Sequence, residues 1–242
     1  MISLGLIPAR GGSTGIKKKN LQIINGKPLI AHTIKKALDS NLDRVIVATD
    51  DEEIRKVSIK AGAECPFFRP KNISKKNSHA FEIYKYTLNW LKREEDYNPD
   101  ILCVMLCTTP FRSVETINDS LDKLKSKKYD WVFSVNEIEH HPYRAMLIKN
   151  FFFIKPMFNV PNYKIWVNRQ EFSKVFRFNG GVIACLAKNV LLNNEYNIDN
   201  IKHKNTRVGY SVMSKLESID IDEPIDLEYV RFLIKNKYVK IK

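Results

Sequence analysis

Residues 7–20 of this chain read Ile7-Pro-Ala-Arg-Gly-Gly-Ser-Thr-Gly-Ile-Lys-Lys-Lys-Asn20. Glycines at Gly11, Gly12 and Gly15 let the backbone approach a ligand closely and turn its N–H groups toward an anion. Arg10 and the run Lys17 to Lys19 place positive charge beside that turn. These residue types in this order suit a polyphosphate cradle; a flexible basic turn is the alternative. The stretch lacks the Gly-Lys-Ser/Thr ending of a Walker A loop and the GxGxxG spacing of a dinucleotide loop, so it carries neither of those motifs.

A second constellation stands far downstream, at Ser218-Ile-Asp-Ile-Asp-Glu-Pro224. As a strand, it would point Asp220 and Asp222 to one face, roughly 7 Å apart at Cα. Two carboxylates so placed can share one hard cation, and magnesium is the expected ion where phosphates complete the shell. The competing account makes Asp222 the cap of a helix beginning near Pro224, which leaves Asp220 unexplained. Arg177-Phe-Asn-Gly-Gly181 sets a guanidinium and the Asn179 amide ahead of paired glycines, for a polar ligand or for a tight turn into a strand. In Glu139-His-His-Pro-Tyr-Arg144 the adjacent histidines would face opposite sides of a strand, which disfavours zinc. Arg144 and Arg169 suit a carboxylate, because a guanidinium matches it in two-point geometry.

Elements that could position these residues follow from the apolar pattern. Short apolar runs at 3–8, 44–49, 101–106 and 131–135 alternate with helical stretches, predicting a mostly parallel sheet flanked by helices. Pro28 can open the first helix, with Ile30, Ile34, Ala37 and Leu38 on one face. Phe81, Tyr84, Leu88 and Leu91 make a second such face, and Asp50 or Asp51 can cap a helix running to Gly62. Val182–Leu186 and Arg207–Val212 read as returning strands, and Leu227, Val230 and Ile234 form the apolar face of a last helix. Residues 137–178 break the rhythm with prolines and aromatics; they predict an inserted antiparallel lobe within a single domain spanning 1–242, and a dimerisation element.

Length and composition bound the partners. The 242 residues, 44% of them hydrophobic, can bury a full core. No apolar run reaches the roughly 18 residues of a membrane span, and no leader segment is evident, so no membrane partner is expected. The net charge of +13 comes from scattered lysines, which fits an anionic small substrate better than nucleic acid. Four cysteines without a CxxC pair fit a reduced, cytoplasmic setting, with Cys103 and Cys107 on a buried strand.

Taken in order, the motifs resemble the acylneuraminate cytidylyltransferase family, the CMP-sialic acid synthetases and their relatives. The resemblance rests on Pro8-Ala-Arg-Gly-Gly-Ser-x-Gly-Ile-x-x-Lys-Asn20, Val47-Ala-Thr-Asp50, Arg69-Pro70, Thr109-Pro-Phe-Arg112, Glu139-His-His-Pro142, Arg177-x-Asn-Gly180 and Asp220-Ile-Asp222. It implies a three-layer, Rossmann-like nucleotide-diphospho-sugar transferase fold, a homodimer, CTP as co-substrate and Mg²⁺ as metal. It implies CMP transfer to the C2 hydroxyl of a nine-carbon 2-keto sugar acid, with release of pyrophosphate. By motif position, Ala9, Arg10, Gly11, Gly12, Ser13 and Lys19 would hold the triphosphate, while Asn20 and Arg69 would contact cytidine. Asp220 and Asp222 would hold the metal, and Arg10, Lys19 and Asp220 would carry catalysis. Arg144, Arg169, Arg177 and Asn179 would surround the sugar acid. The chain departs from the family pattern at Thr14, where a lysine is usual, and at Cys107, where a glutamine is usual. It also carries Lys75-Lys-Asn-Ser78 in place of an acidic, serine-rich stretch. Lys17 or Lys18 could stand in for the missing loop lysine. A Kdo-type cytidylyltransferase and a non-catalytic nucleotide-binding paralogue are the alternative readings.

Overall fold

The computed structural model describes residues 1–13, 15–75, 77–150, 153–159, 171–192 and 206–239. Among these, β1 (Ser3–Pro8), β4 (Arg44–Ala48), β5 (Ile101–Val104), β6 (Trp131–Glu137), β9 (Phe176–Leu186) and β10 (Val208–Val212) form one sheet in the order β10-β6-β9-β5-β1-β4. β1 pairs in parallel with β4 and β5, and β10 with β6. Only β9 runs against its neighbours β5 and β6. The expected mostly parallel sheet is therefore present, and its strands sit where the apolar runs place them. Two short pairs stand apart, β2 (Ile23–Ile24) with β3 (Lys27–Pro28), and β7 (Met146–Asn150) with β8 (Phe153–Pro156). The antiparallel β7–β8 hairpin lies inside the stretch expected to form an inserted lobe.

Side-chain alternation along the strands feeds two cores, one on each face. Ile7, Val47, Cys103 and Val182 pack with α1 (Leu29–Leu38), α4 (Val114–Lys125) and α6 (Pro224–Lys235). Leu4, Leu6, Ile46 and Val104 pack with α3 (Ala80–Glu95) and the short α5 (Ala187–Leu192). These are the three layers of an α/β/α fold, and burying each large aliphatic side chain stabilises it by about 1.5–3 kcal/mol. Ile30, Ile34 and Ala37 are buried as expected of α1, but Leu38 is 46% exposed, because the helix ends there and turns its last residue to solvent. Asp51 caps α2 (Glu52–Lys60), accepting from the amides of Glu53 and Ile54.

The connection after β1 leads through α1 toward β4, whereas that after β5 leads through α4 to the far side of the sheet. The strand order thus reverses between β1 and β5. Ligands of open α/β sheets bind at such a point, beyond the carboxyl ends of the strands. Both loops that meet there, 9–20 and 105–112, carry motifs singled out from the sequence.

Candidate active site

The loop after β1 is fastened at several points. Ala9, buried, donates its amide to the Ala48 carbonyl (3.0 Å), continuing the β1–β4 ladder. The Asn20 amide donates to the Arg10 carbonyl (3.2 Å), and the Arg10 guanidinium donates to the Lys75 carbonyl (3.1 Å). The Gly11 amide donates to Asp50 Oδ1 (2.8 Å) and the Ser13 amide to the Gly11 carbonyl (3.1 Å). Two amides expected to face an anion are therefore held internally, while Gly12 faces open space. Thr14 lies outside the described residues. Lys18 adopts a left-handed conformation and pairs with Glu53, so its charge is directed at α2 rather than the cradle.

Lys19 reaches across to the other half of the site. Its ammonium donates to the Ile221 carbonyl (2.6 Å) and to Asp222 Oδ1 (3.1 Å). Gly15 lies against the same segment: a Cβ there would overlap the Asp222 carbonyl oxygen, so only glycine allows this approach. The 218–223 segment is irregular, not the strand expected from its alternation, because its backbone bonds to a loop: the Ile221 amide donates to the Thr108 carbonyl (2.9 Å). Ile221 is nonetheless buried between the two aspartates. Asp222 does not cap the following helix; Glu223 and Asp226 form a reciprocal capping box there.

The aspartates differ in environment. The Asp222 side chain is 73% exposed, whereas Asp220 Oδ1 is buried without a hydrogen-bond partner among the described residues. Burial pushes the Asp220 carboxyl up, the Asp222 charge adds to that, and the Thr108 hydroxyl and Lys19 oppose it. An orphaned, buried carboxylate oxygen beside a second carboxylate fits a hard divalent cation. Among the described residues no group of three or more His, Cys, Asp or Glu gathers to hold a metal. The remaining ligands of such an ion would have to be phosphate and water oxygens.

Arg69 is buried, and its Nε and Nη2 both donate to the Ile73 carbonyl. Arg10 and Asp50 are close enough to act on its charge. On the β9 side, Asn179 accepts from Ser134 Oγ (2.5 Å) and the Gly181 amide (3.1 Å), leaving Nδ2 without a partner among the described residues. This follows from an irregularity in the β6–β9 register at Ser134, which turns that hydroxyl to the chain at Asn179 and Val182. Arg177, opposite Asn136, is exposed. Arg144 lies over the Phe172 ring (5.4 Å), within a cluster containing His141 and Tyr143. Arg169 lies outside the described residues.

The sequence reading assigns no site role to three residues. Asp50 holds the Gly11 amide, and Thr108 holds Asp220 and Ile221. Arg112, 1% exposed, donates to the Leu106 carbonyl (2.5 Å), and burial pushes its guanidinium down to about 10. Asp50 and Arg112 sit in motifs the sequence showed and Thr108 directly precedes one, but their roles depend on loops brought together by the sheet. Cys107, buried in the same loop, has its thiol pushed up to about 12 by burial, so it stays neutral.

With the cradle, the aspartate pair and the strand reversal in place, comparison with known proteins assigns the family. The cytidylyltransferase family profile matches residues 4–238. The chain belongs to this family. A pseudaminic acid cytidylyltransferase of Campylobacter jejuni is 33% identical over 149 residues, a match spanning 61% of this chain and 64% of that relative. A CMP-N,N'-diacetyllegionaminic acid synthase of Legionella pneumophila is 30% identical over 227 residues, 92% of each chain. A solved CMP:2-keto-3-deoxy-manno-octonic acid synthetase complexed with CTP superposes with a TM-score of 0.67 at 19% identity, covering 98% of this chain and 100% of that chain. Likeness at that identity speaks to the fold alone, a three-layer α/β/α architecture around a mostly parallel sheet. No helix among the described residues is long and apolar enough to cross a membrane.

Proposed function

We propose that this cytidylyltransferase transfers CMP from CTP to the C2 hydroxyl of a nine-carbon 2-keto sugar acid, releasing pyrophosphate. The observation that carries this reading is the Lys19 ammonium, held between the Gly-rich loop and Asp222. It joins an anion cradle to a pair of carboxylates in one site. The C2 oxygen attacks the α-phosphorus, and the bond from that phosphorus to the oxygen bridging to the β-phosphate breaks. Lys19 and Arg10 would neutralise charge that grows on the departing pyrophosphate, where fixed cations have the most effect. Asn20 and Arg69 would orient the cytidine, and Arg177, Asn179, Arg144 and Arg169 the sugar acid.

Asp220 and Asp222 would hold Mg²⁺, which when bound supplies charge neutralisation for the phosphates. The Thr108 hydroxyl hydrogen-bonds to Asp220. The named relatives support a nonulosonic acid as acceptor, and the four buried free thiols suit the cytoplasm. The reading also makes the chain a homodimer joined through the β7–β8 hairpin.

A panel of 2-keto sugar acids, each incubated with CTP, ATP, GTP and UTP, tests the reading by pyrophosphate release. Release is expected with CTP and a nine-carbon acid. Release with Kdo alone would move the assignment to the eight-carbon acids, and no release with any acid would remove the catalytic reading.

A further inference from the structure

Asp50 is an acidic side chain close enough to Arg69 to act on its charge, as is Arg10. Its carboxylate accepts the Gly11 amide at 2.8 Å. The neighbouring Asp51 packs on the bare Cα of Gly11, with Oδ2 2.7 Å from where a Cβ would stand, so the chain at Gly11 is pinned from both sides. The β4–α2 turn that carries both aspartates is itself tied down, since Thr49 Oγ1 accepts the Asp51 amide (3.1 Å) and the Thr49 carbonyl accepts the Arg69 amide (2.7 Å). Arg69 feels the Asp50 charge and also that of Arg10. One carboxylate thus links the first turn of the Gly-rich loop to the strand end that positions Arg69.

We propose that Asp50 is a positioning residue for the nucleotide: by holding the Gly11 amide it sets the path of the Arg10–Ser13 turn, and the turn then presents Gly12 and Arg10 to the triphosphate. This rests on the proposed use of the loop for CTP. The hydrogen bond, not the charge, is the working feature, and the two can be separated by sign. Removing a carboxylate beside the Arg69 guanidinium should by charge alone tighten binding of an anion. Removing the anchor should loosen the loop and weaken it.

The experiment measures CTP affinity by calorimetry, and exchange of the Gly11 amide, in the full chain with Asp50→Ala and Asp50→Asn. Asp50→Ala is expected to weaken CTP binding about tenfold, the scale of one lost charge-assisted hydrogen bond, and to speed Gly11 exchange. Asp50→Asn keeps an acceptor oxygen and sheds the charge; it should bind CTP at least as tightly as the parent, with Gly11 still protected. KM for CTP should follow these affinities while KM for the sugar acid stays put. Tighter CTP binding by Asp50→Ala, unchanged binding, or unchanged Gly11 exchange would overturn the proposal, as would an Asp50→Asn as weak as Asp50→Ala. A parent chain that binds no CTP would instead sink the reading of function, while Gly11 exchange would still decide whether Asp50 is the anchor.

Discussion

Lys19 Nζ stands 3.1 Å from Asp222 Oδ1 and 2.6 Å from the Ile221 carbonyl, across 203 and 202 residues of chain. Its side chain is 12% exposed, so the ammonium sits at the floor of the site rather than in solvent. It is the point where the loop after β1 and the segment before α6 become one structure. In the proposed reaction a cation in that position would serve the transition state more than the ground state, because charge would leave with pyrophosphate.

Lys19→Met should therefore lower kcat/KM by about 10²–10³-fold, the scale seen when one donor to a developing anion is removed. Lys19→Arg should recover little of it, since a planar guanidinium cannot replace a compact ammonium between a carbonyl and a carboxylate. Steady-state kinetics with CTP varied would check both. A Lys19→Met enzyme with near-normal kcat but a lowered melting temperature would make Lys19 a strut only.

Gly15 and Gly12 should respond oppositely to alanine. A methyl at Gly15 would overlap the Asp222 carbonyl oxygen, so the loop and the aspartate segment must part. Gly15→Ala should cost activity about tenfold or more, since small misplacements of reacting groups are costly in rate. Gly12 has nothing within 4 Å of its would-be Cβ. Gly12→Ala should leave the melting temperature unchanged and show itself only in KM for CTP. Thermal melts beside CTP titrations would separate the two.

The parts of this fold that repeat along the chain were legible beforehand. Alternating apolar residues such as Leu4 and Leu6 against Ile7 announce strands buried on both faces, and Phe81, Tyr84, Leu88 and Leu91 announce α3. Lys19 and the Asp220–Asp222 pair could be named as separate motifs for the same reason: each is local. Their contact was not legible, because it depends on the Ile221–Thr108 hydrogen bond, which no periodicity encodes. That bond also explains why 218–223 fails as a strand despite its pattern. The Asp-Asp pair ahead of α2 offers two acceptors, so the sequence leaves Asp50 or Asp51 as the cap; the fold shows that Asp51 caps and Asp50 accepts the Gly11 amide.

Asp220 should trade stability for activity. Its carboxyl titrates above the ordinary 3.8 in the folded chain because burial disfavours the charged form. Between the two values the folded state holds the extra proton, so stability falls as pH rises through that window. The penalty is absent below the unfolded value and complete only above the folded one. Asp220→Asn removes it, and should raise the melting temperature of the metal-free protein at pH 7 by about 2–4 °C for each kcal/mol relieved. The gain should vanish near pH 3, below the unfolded value. Activity should meanwhile drop by about 10²-fold or more, with weakened Mg²⁺ binding. Calorimetry at the two pH values and metal titration would check the pair of effects; equal melting at pH 7 would show that the carboxyl carries no penalty.

The β7–β8 hairpin presents Ile148 opposite Ile154, 80% and 64% exposed, with Met146 and Leu147 beside them. Directly opposed positions share a face, so the two isoleucines form one apolar patch. Exposed patches of this kind mark association surfaces when they are contiguous. If the hairpin joins two copies, Ile148→Asp with Ile154→Asp would bury like charges against each other across the two-fold. The double variant should then sediment as a monomer at micromolar concentration, where the parent sediments as a dimer, because losing the apolar centre of a standard interface of about 1,600 Å² removes most of its affinity. Its melting temperature should fall only by the share contributed by association, since neither isoleucine lies in either core of the sheet. A parent that is already monomeric, or a double variant that stays dimeric, would place the dimer contact elsewhere or remove it.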